Sequence, residues 1–240
     1  MKQKHFALLL AGALLFALGI LLELFLSSVV AWGEVEARVY TSQSGDLSLD
    51  IKCPLMLSPT ESGTISASVT NTLDVDTKPV ITADFSRVSG DQQVSQTLLL
   101  AAHETKTVQW TVDASNILFG RLILVNVTQF RYTDLPSHQG ACGIFLLSFL
   151  GLSGIETFYL LFAVSFVSIL LGAFLWLRGH SPLDDLARST AQASGILAGI
   201  TITGLLAALL RWWGLIIFLD AVALILVAVI LTEFVLFPKR

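Results

Sequence analysis

The chain has 240 residues, 54% apolar and only 13% charged, with a mean hydropathy of +0.77. Soluble domains carry roughly a quarter charged residues, so the composition excludes a wholly water-soluble chain. The net charge of −4 belongs to the middle: residues 33–137 hold twelve acidic and seven basic side chains, the remainder six and seven. That mild acidity excludes the basic stripe of a nucleic-acid surface.

The first apolar run goes from Phe6 to Trp32 and is broken only by Glu23. A bilayer core needs about 20 apolar residues. The run also exceeds the roughly 7–15 residues of a signal-peptide core. A retained transmembrane helix within 1–32 is the expectation. The alternative is a cleaved signal, with Met1-Lys2-Gln3-Lys4 as its basic start and Val29-Val30-Ala31 as its cleavage site.

From Glu34 to Pro136 the apolar period becomes two, the signature of half-buried strands. Leu47, Leu49 and Ile51 alternate with Ser48, Asp50 and Lys52; Ile65, Ala67 and Val69 alternate with Ser66, Ser68 and Thr70. Further strands are expected at 80–85, 94–100, 107–112 and 121–132. Asn71, Asp74, Ser89-Gly90-Asp91, Ala102-His103-Glu104 and Asn116 punctuate them as turns. Six or seven short strands at this spacing predict an antiparallel sandwich over residues 33–137.

Within it, the segment Leu57-Ser58-Pro59-Thr60-Glu61, followed by the alternating strand that ends Val69-Thr70-Asn71, resembles a widespread Ig-like or CARDB-like module. Leu100 to Trp110 is similar to that family's second turn and aromatic strand. Thr60 and His103 stand where the family usually has glycine. The resemblance covers about 90 residues. It implies a sandwich fold and an adhesion, spacer or assembly surface, and it carries no particular chemistry.

The second apolar region, Ile144 to Leu177, is too long for one straight span and is divided by Gly151-Leu152-Ser153-Gly154. Ser153 followed by Glu156 reads as a capping box. Residues 138–152 are therefore expected to lie at the outer interface, with a second span over 153–177 and Trp176 as an interfacial anchor. Ser181-Pro182 reads as another helix start, opening a cytoplasmic amphipathic loop over 178–190. A third span is expected over 191–210, an outer turn Arg211-Trp212-Trp213-Gly214, and a fourth span within 215–240. Lys2, Lys4, Arg178, Arg188, Lys239 and Arg240 then share one side, which the positive-inside rule makes cytoplasmic. Both termini are expected there, with the β-domain outside the plasma membrane. The fold class is a four-helix membrane bundle with an inserted all-β Ig-like sandwich.

Cys53 and Cys142 both fall outside the membrane, where disulfides persist. A bridge between them is expected to pin the sandwich beside the second span; two unpaired thiols are the alternative. Glu23 and Asp220 interrupt apolar spans, and intramembrane ionisable residues need partners or a function. With Arg211 they define a candidate intramembrane polar cluster. Ala191, Gly195, Gly199, Thr203 and Ala207 recur every fourth residue, a small-residue ridge suited to close helix packing. Contact within the chain is favoured over contact with another protein, because a short turn joins the third and fourth spans.

Gly151-Leu152-Ser153-Gly154 matches the G-x-S-G of rhomboid intramembrane proteases. A serine nucleophile needs a base within reach, and His5, His103, His138 and His180 all lie outside the spans. The helix cap accounts for Ser153. Asn126-Val127-Thr128 is a glycosylation sequon inside an expected strand. Phosphate-loop, zincin and haem motifs are absent from the sequence. The expectation is a non-enzyme without cofactor or metal, an accessory or structural subunit whose partners are lipids and other membrane or envelope proteins, not nucleic acid. The alternative is a small transporter, channel or lipid-handling protein using Glu23, Arg211 and Asp220.

Overall fold

The computed structural model describes residues 2–39, 47–86, 92–130, 136–179, 185–210 and 212–236. In chain order they form α1 (Lys2–Val39), β1 (Leu47–Lys52), β2 (Met56–Leu57), β3 (Gly63–Asn71), β4 (Val80–Phe85), β5 (Gln92–Thr97), β6 (Thr105–Val112), β7 (Leu122–Phe130), β8 (Pro136–Leu146), α2 (Gly154–Gly179), α3 (Asp185–Leu209) and α4 (Trp213–Leu236). The chain divides into a β-unit, Trp32–Thr157, and a helical unit formed by Met1–Ala31 with Phe158–Arg240.

The β-unit contains two sheets, ordered β1-β3-β6 and β2-β8-β7-β4-β5. All pairings are antiparallel except β2 with β8. Strand β3 shows why they face each other. Ile65, Ala67 and Val69 point inward, while Ser66, Ser68 and Thr70 point outward. The inward residues meet Ile81, Ala83, Ile123, Val125 and Ile144 of the other sheet in one core. Each fully buried aliphatic side chain there contributes about 1.5–3 kcal/mol relative to exposure. On the outer face, Ser68 pairs with Thr107 at 2.9 Å and Thr70 with Thr105 at 2.8 Å, hydroxyl to hydroxyl. This is an Ig-like sandwich.

The two turns that carry the family resemblance are built alike. The Ser58 N–H donates to the Glu61 carboxylate at 3.0 Å, and the Ala101 N–H to Glu104 at 2.8 Å. Asn71, fully buried, donates to the carbonyls of Val75 at 2.8 Å and Ala101 at 2.9 Å. It ties together the turns at one end of the sandwich. His103 adopts φ +58°, the left-handed conformation for which glycine is the usual residue.

Two expected boundaries are corrected. The first part of the segment expected at the interface over 138–152 is sheet: residues 136–146 form β8, hydrogen-bonded along β7. Cys142, Ile144 and Leu146 face the core, so these apolar residues are taken up by sheet burial before the membrane helix begins. Helix α1 runs on to Val39. Beyond Trp32 only Gly33 is a poor helix former and no proline stops the turn-by-turn propagation. The amphipathic stretch expected after Ser181 is the first part of α3 from Asp185 onward, while Ser181-Pro182 lies outside the described residues, as do Ser89-Gly90-Asp91, Arg211 and Pro238-Lys239-Arg240.

Three helical segments are long and apolar enough to cross a membrane: Ala7–Ala31, Gly154–Trp176 and Gln192–Leu209. Among the described residues α4 has a shorter apolar stretch, Gly214–Val229. Leu14 and Leu21 of α1, Val167 and Phe174 of α2, and Phe218 and Ile225 of α4 are exposed. Helices apolar on their outer surface are those of a membrane protein.

Candidate functional site

Glu23 of α1 is 1% exposed. One turn on, the Ser27 hydroxyl donates to its Oε1 at 2.9 Å. Asp220 of α4 lies beside both side chains. From α3, Gly204 leaves the space the carboxylate occupies: a Cβ there would sit 2.5 Å from Glu23 Oε1. Ile20, Leu197 and Ala223 form an apolar cluster from the same three helices. Glu23 Oε2 and Asp220 Oδ1 are buried without a hydrogen-bond partner among the described residues. The structure thus brings together Glu23 and Asp220; Arg211 lies outside the described residues. A carboxylate pair with a hydroxyl can hold a proton or a small cation, or can join helices by hydrogen bonds. Nothing in the sequence pointed to Ser27 or Gly204 as members of this cluster.

Of the small-residue ridge of α3, Ala207 is buried, while the middle of the ridge meets no other helix among the described residues. Gly195, Gly199 and Thr203 are exposed, and nothing lies within 4 Å of where a Cβ would stand at either glycine. The packed face of α3 carries Leu197, Thr201, Gly204, Leu205 and Ala208 instead. Close helix contact is made by α1 and α2. A Cβ at Gly12 would lie 2.8 Å from the Trp176 nitrogen, and one at Gly172 would lie 2.5 Å from the Phe16 nitrogen. The Ser165 hydroxyl donates to the Gly19 carbonyl at 2.8 Å. Small residues seven apart, Gly12 with Gly19 and Ser165 with Gly172, were the available signal.

Cys53 and Cys142 form a disulfide, with Cα atoms 6.5 Å apart. Cys53 follows β1 and Cys142 is buried in β8, so the bridge joins the two sheets through their core. It does not pin the sandwich from outside, as the position expected for Cys142 had implied.

Ser153 caps α2. Its hydroxyl meets Glu156 Oε2 at 2.8 Å, and its N–H donates to the same oxygen at 2.9 Å. The Gly154 N–H donates to Glu61 at 2.8 Å. A Cβ on Gly154 would collide with the backbone of Met56 and Leu57. The G-x-S-G pattern is accounted for by this cap and this close approach.

Two turns leave the same end of the sandwich. Leu122 pairs with Phe145, and the Leu146 N–H donates to the Arg121 carbonyl at 2.8 Å. Just beyond are Phe119-Gly120, at φ +52° and +71°, and Leu150-Gly151, at φ +52° and +75°. Phe119 is 85% exposed and Leu150 83%. Bulky residues are uncommon in this left-handed region.

At the other end, exposed His103 meets Asp74 at 2.9 Å and Lys106 meets Glu104 at 3.3 Å. The Ala101 N–H, with Lys106 adding to it, holds the Glu104 carboxyl below the usual glutamate range. Among the described residues no three His, Cys, Asp or Glu side chains gather as a metal site.

No protein-family model and no curated protein matches this chain. It is similar to several solved structures, each over less than half of its length. The CARDB domain of a Pyrococcus furiosus protein, solved in complex with di-metal ions, is 12% identical; the match covers 42% of this chain and 92% of that one, with a TM-score of 0.34. A Listeria innocua β-glucosidase is 17% identical over 43% of this chain and 16% of its own, TM-score 0.35. A Paenibacillus cycloisomaltooligosaccharide glucanotransferase is 20% identical over 44% and 14%, TM-score 0.35. The chain therefore spans less than a fifth of those two enzymes, and none of these likenesses bears on its chemistry.

Proposed function

We propose that this protein is a non-catalytic, multi-pass subunit of a membrane or cell-envelope assembly. Its four helices cross the plasma membrane with both termini cytoplasmic, and its Ig-like domain is an interaction surface on the extracytoplasmic side. The observation that carries this reading is the outward ridge Gly195, Gly199, Thr203 on α3. Small residues let helix backbones approach closely in lipid, and among the described residues nothing packs on these three. A transmembrane helix of a partner subunit is its occupant. The sequence distribution of lysine and arginine supports the orientation, and the disulfide fits an oxidising compartment.

The test is recovery of the tagged protein from native membranes after crosslinking. Gly195→Leu/Gly199→Leu should keep the fold, because nothing crowds either position, and should lose the partner. A monomer recovered without partner, or a variant that keeps it, overturns the reading. The alternative, ion or proton passage at Glu23 and Asp220, is favoured by their burial and unsatisfied oxygens. Under it, Glu23→Gln abolishes an ion-dependent flux in proteoliposomes; under the subunit reading it leaves the recovered assembly intact.

A further inference from the structure

We propose that the end of the sandwich bearing Phe119 and Leu150 inserts into the bilayer surface at which α2 enters. The proposal rests on reading α2 as a membrane span. The apolar helix Gly154–Trp176 has 23 residues, a rise of about 35 Å, which matches a hydrocarbon core of about 30 Å. Gly154 is therefore at the interface. Leu150 lies four residues before it, a reach of at most about 14 Å. Phe119 comes from a loop some thirty residues upstream, yet sheet pairing brings it to the same end through Leu122 and Phe145. Continuity with the span thus names the occupant of both tips as lipid.

The chemistry of the two ends supports this choice. Isolated apolar residues at the far end, Val75 and Leu99, are exposed as well. They lie in and beside the turns that carry Asp74, Asp76, Lys78, His103, Glu104 and Lys106, groups that stay in water. At the tip end the described carboxylates are engaged by the protein itself. Glu61 accepts from Gly154 and Ser58, Glu156 from Ser153, and Asp113 from the Ser115 N–H. Exposed Arg121, next to Gly120, suits lipid phosphates. Two protruding apolar side chains beside a cation is the composition of an interfacial anchor.

The experiment places an environment-sensitive fluorescent amino acid, one at a time, at positions 119, 150, 75 and 167 of the full chain. Each variant is reconstituted into vesicles of phosphatidylcholine and phosphatidylglycerol with and without brominated acyl chains. All four positions are exposed, so the fold should tolerate the probe. Position 167, within α2, reports the span itself. The expected result is that probes at 119, 150 and 167 lose at least about half their emission in brominated lipid, given an insertion of roughly 5–10 Å, while position 75 loses none. Quenching at 167 with either 119 or 150 unquenched overturns the proposal and leaves the span standing. Absence of quenching at 167 removes the span and the proposal with it. Equal quenching at 75 and 119 means a sandwich lying along the surface, and a blue-shifted but unquenched 119 means a protein cover; both overturn it.

Discussion

In the sandwich, Ile65, Ile81, Ile123 and Ile144 are fully buried while Ser66, Ser68 and Thr70 face out; in the helices, Leu14, Val167 and Phe218 face out while Glu23, Ser27, Ser165 and Thr201 are buried. The inversion follows from the solvent on each side. Water makes apolar burial the driving force of the β-unit. Lipid is as apolar as leucine, so helices associate through close backbone approach and hydrogen bonds. The Gly12–Gly172 contact and the Ser165–Gly19 bond are of that kind.

If the two units are held so differently, lesions should separate. Cys53→Ala/Cys142→Ala opens a loop of 89 residues and should destabilise the sandwich by about 4 kcal/mol. Near-ultraviolet circular dichroism with denaturant in detergent would show its transition move while helical content holds; coincident loss of both breaks the comparison. Gly172→Val forces a Cβ against the α1 backbone, which cannot give as a side chain can, and should weaken the helical unit by about 2 kcal/mol. Hydrogen exchange should then rise in α1 and α2 and stay unchanged in β3 and β7; a rise in all four would merge the units.

The smallest effect is a pH dependence. The Glu104 carboxyl titrates below the usual glutamate range because the Ala101 N–H donates to it. Its contribution is therefore full above the ordinary glutamate range and is lost as pH falls through the lowered value. The sandwich Tm should dip slightly between about pH 7 and about pH 3, and Glu104→Gln should flatten that part of the profile. An unchanged profile removes this turn from the stability of the domain.

Much of this was legible in the sequence because alternation is a local signal. Strands β3, β4, β6 and β7 could be read from their own residues. Strand β2, with two residues, is too short to show a period. Strand β8 was hidden because Ile144-Phe145-Leu146 runs into the apolar stretch leading to α2, and a half-buried strand beside a membrane helix reads as one hydrophobic run. The carboxylates Glu23 and Asp220 stood out against apolar neighbours. That Ser27 and Gly204 complete their surroundings depends on helix rotation, which the sequence states only as a period. The same ambiguity left the partner of the α3 ridge open, since glycine spacing marks a surface able to pack without saying which helix comes to it.

The Cys53–Cys142 bridge also has a mechanical meaning. The sandwich is tied into the chain between α1 and α2, so any tension along the backbone enters before β1 and leaves after β8. The bridge carries that load directly from residue 53 to residue 142 and shields everything between. Only β1 and the last turn of chain in β8 can be peeled away. A pull on the helices would lengthen the protein by a few residues at each side, while the chain between the two cysteines, with β3, β4 and β7, cannot be drawn out.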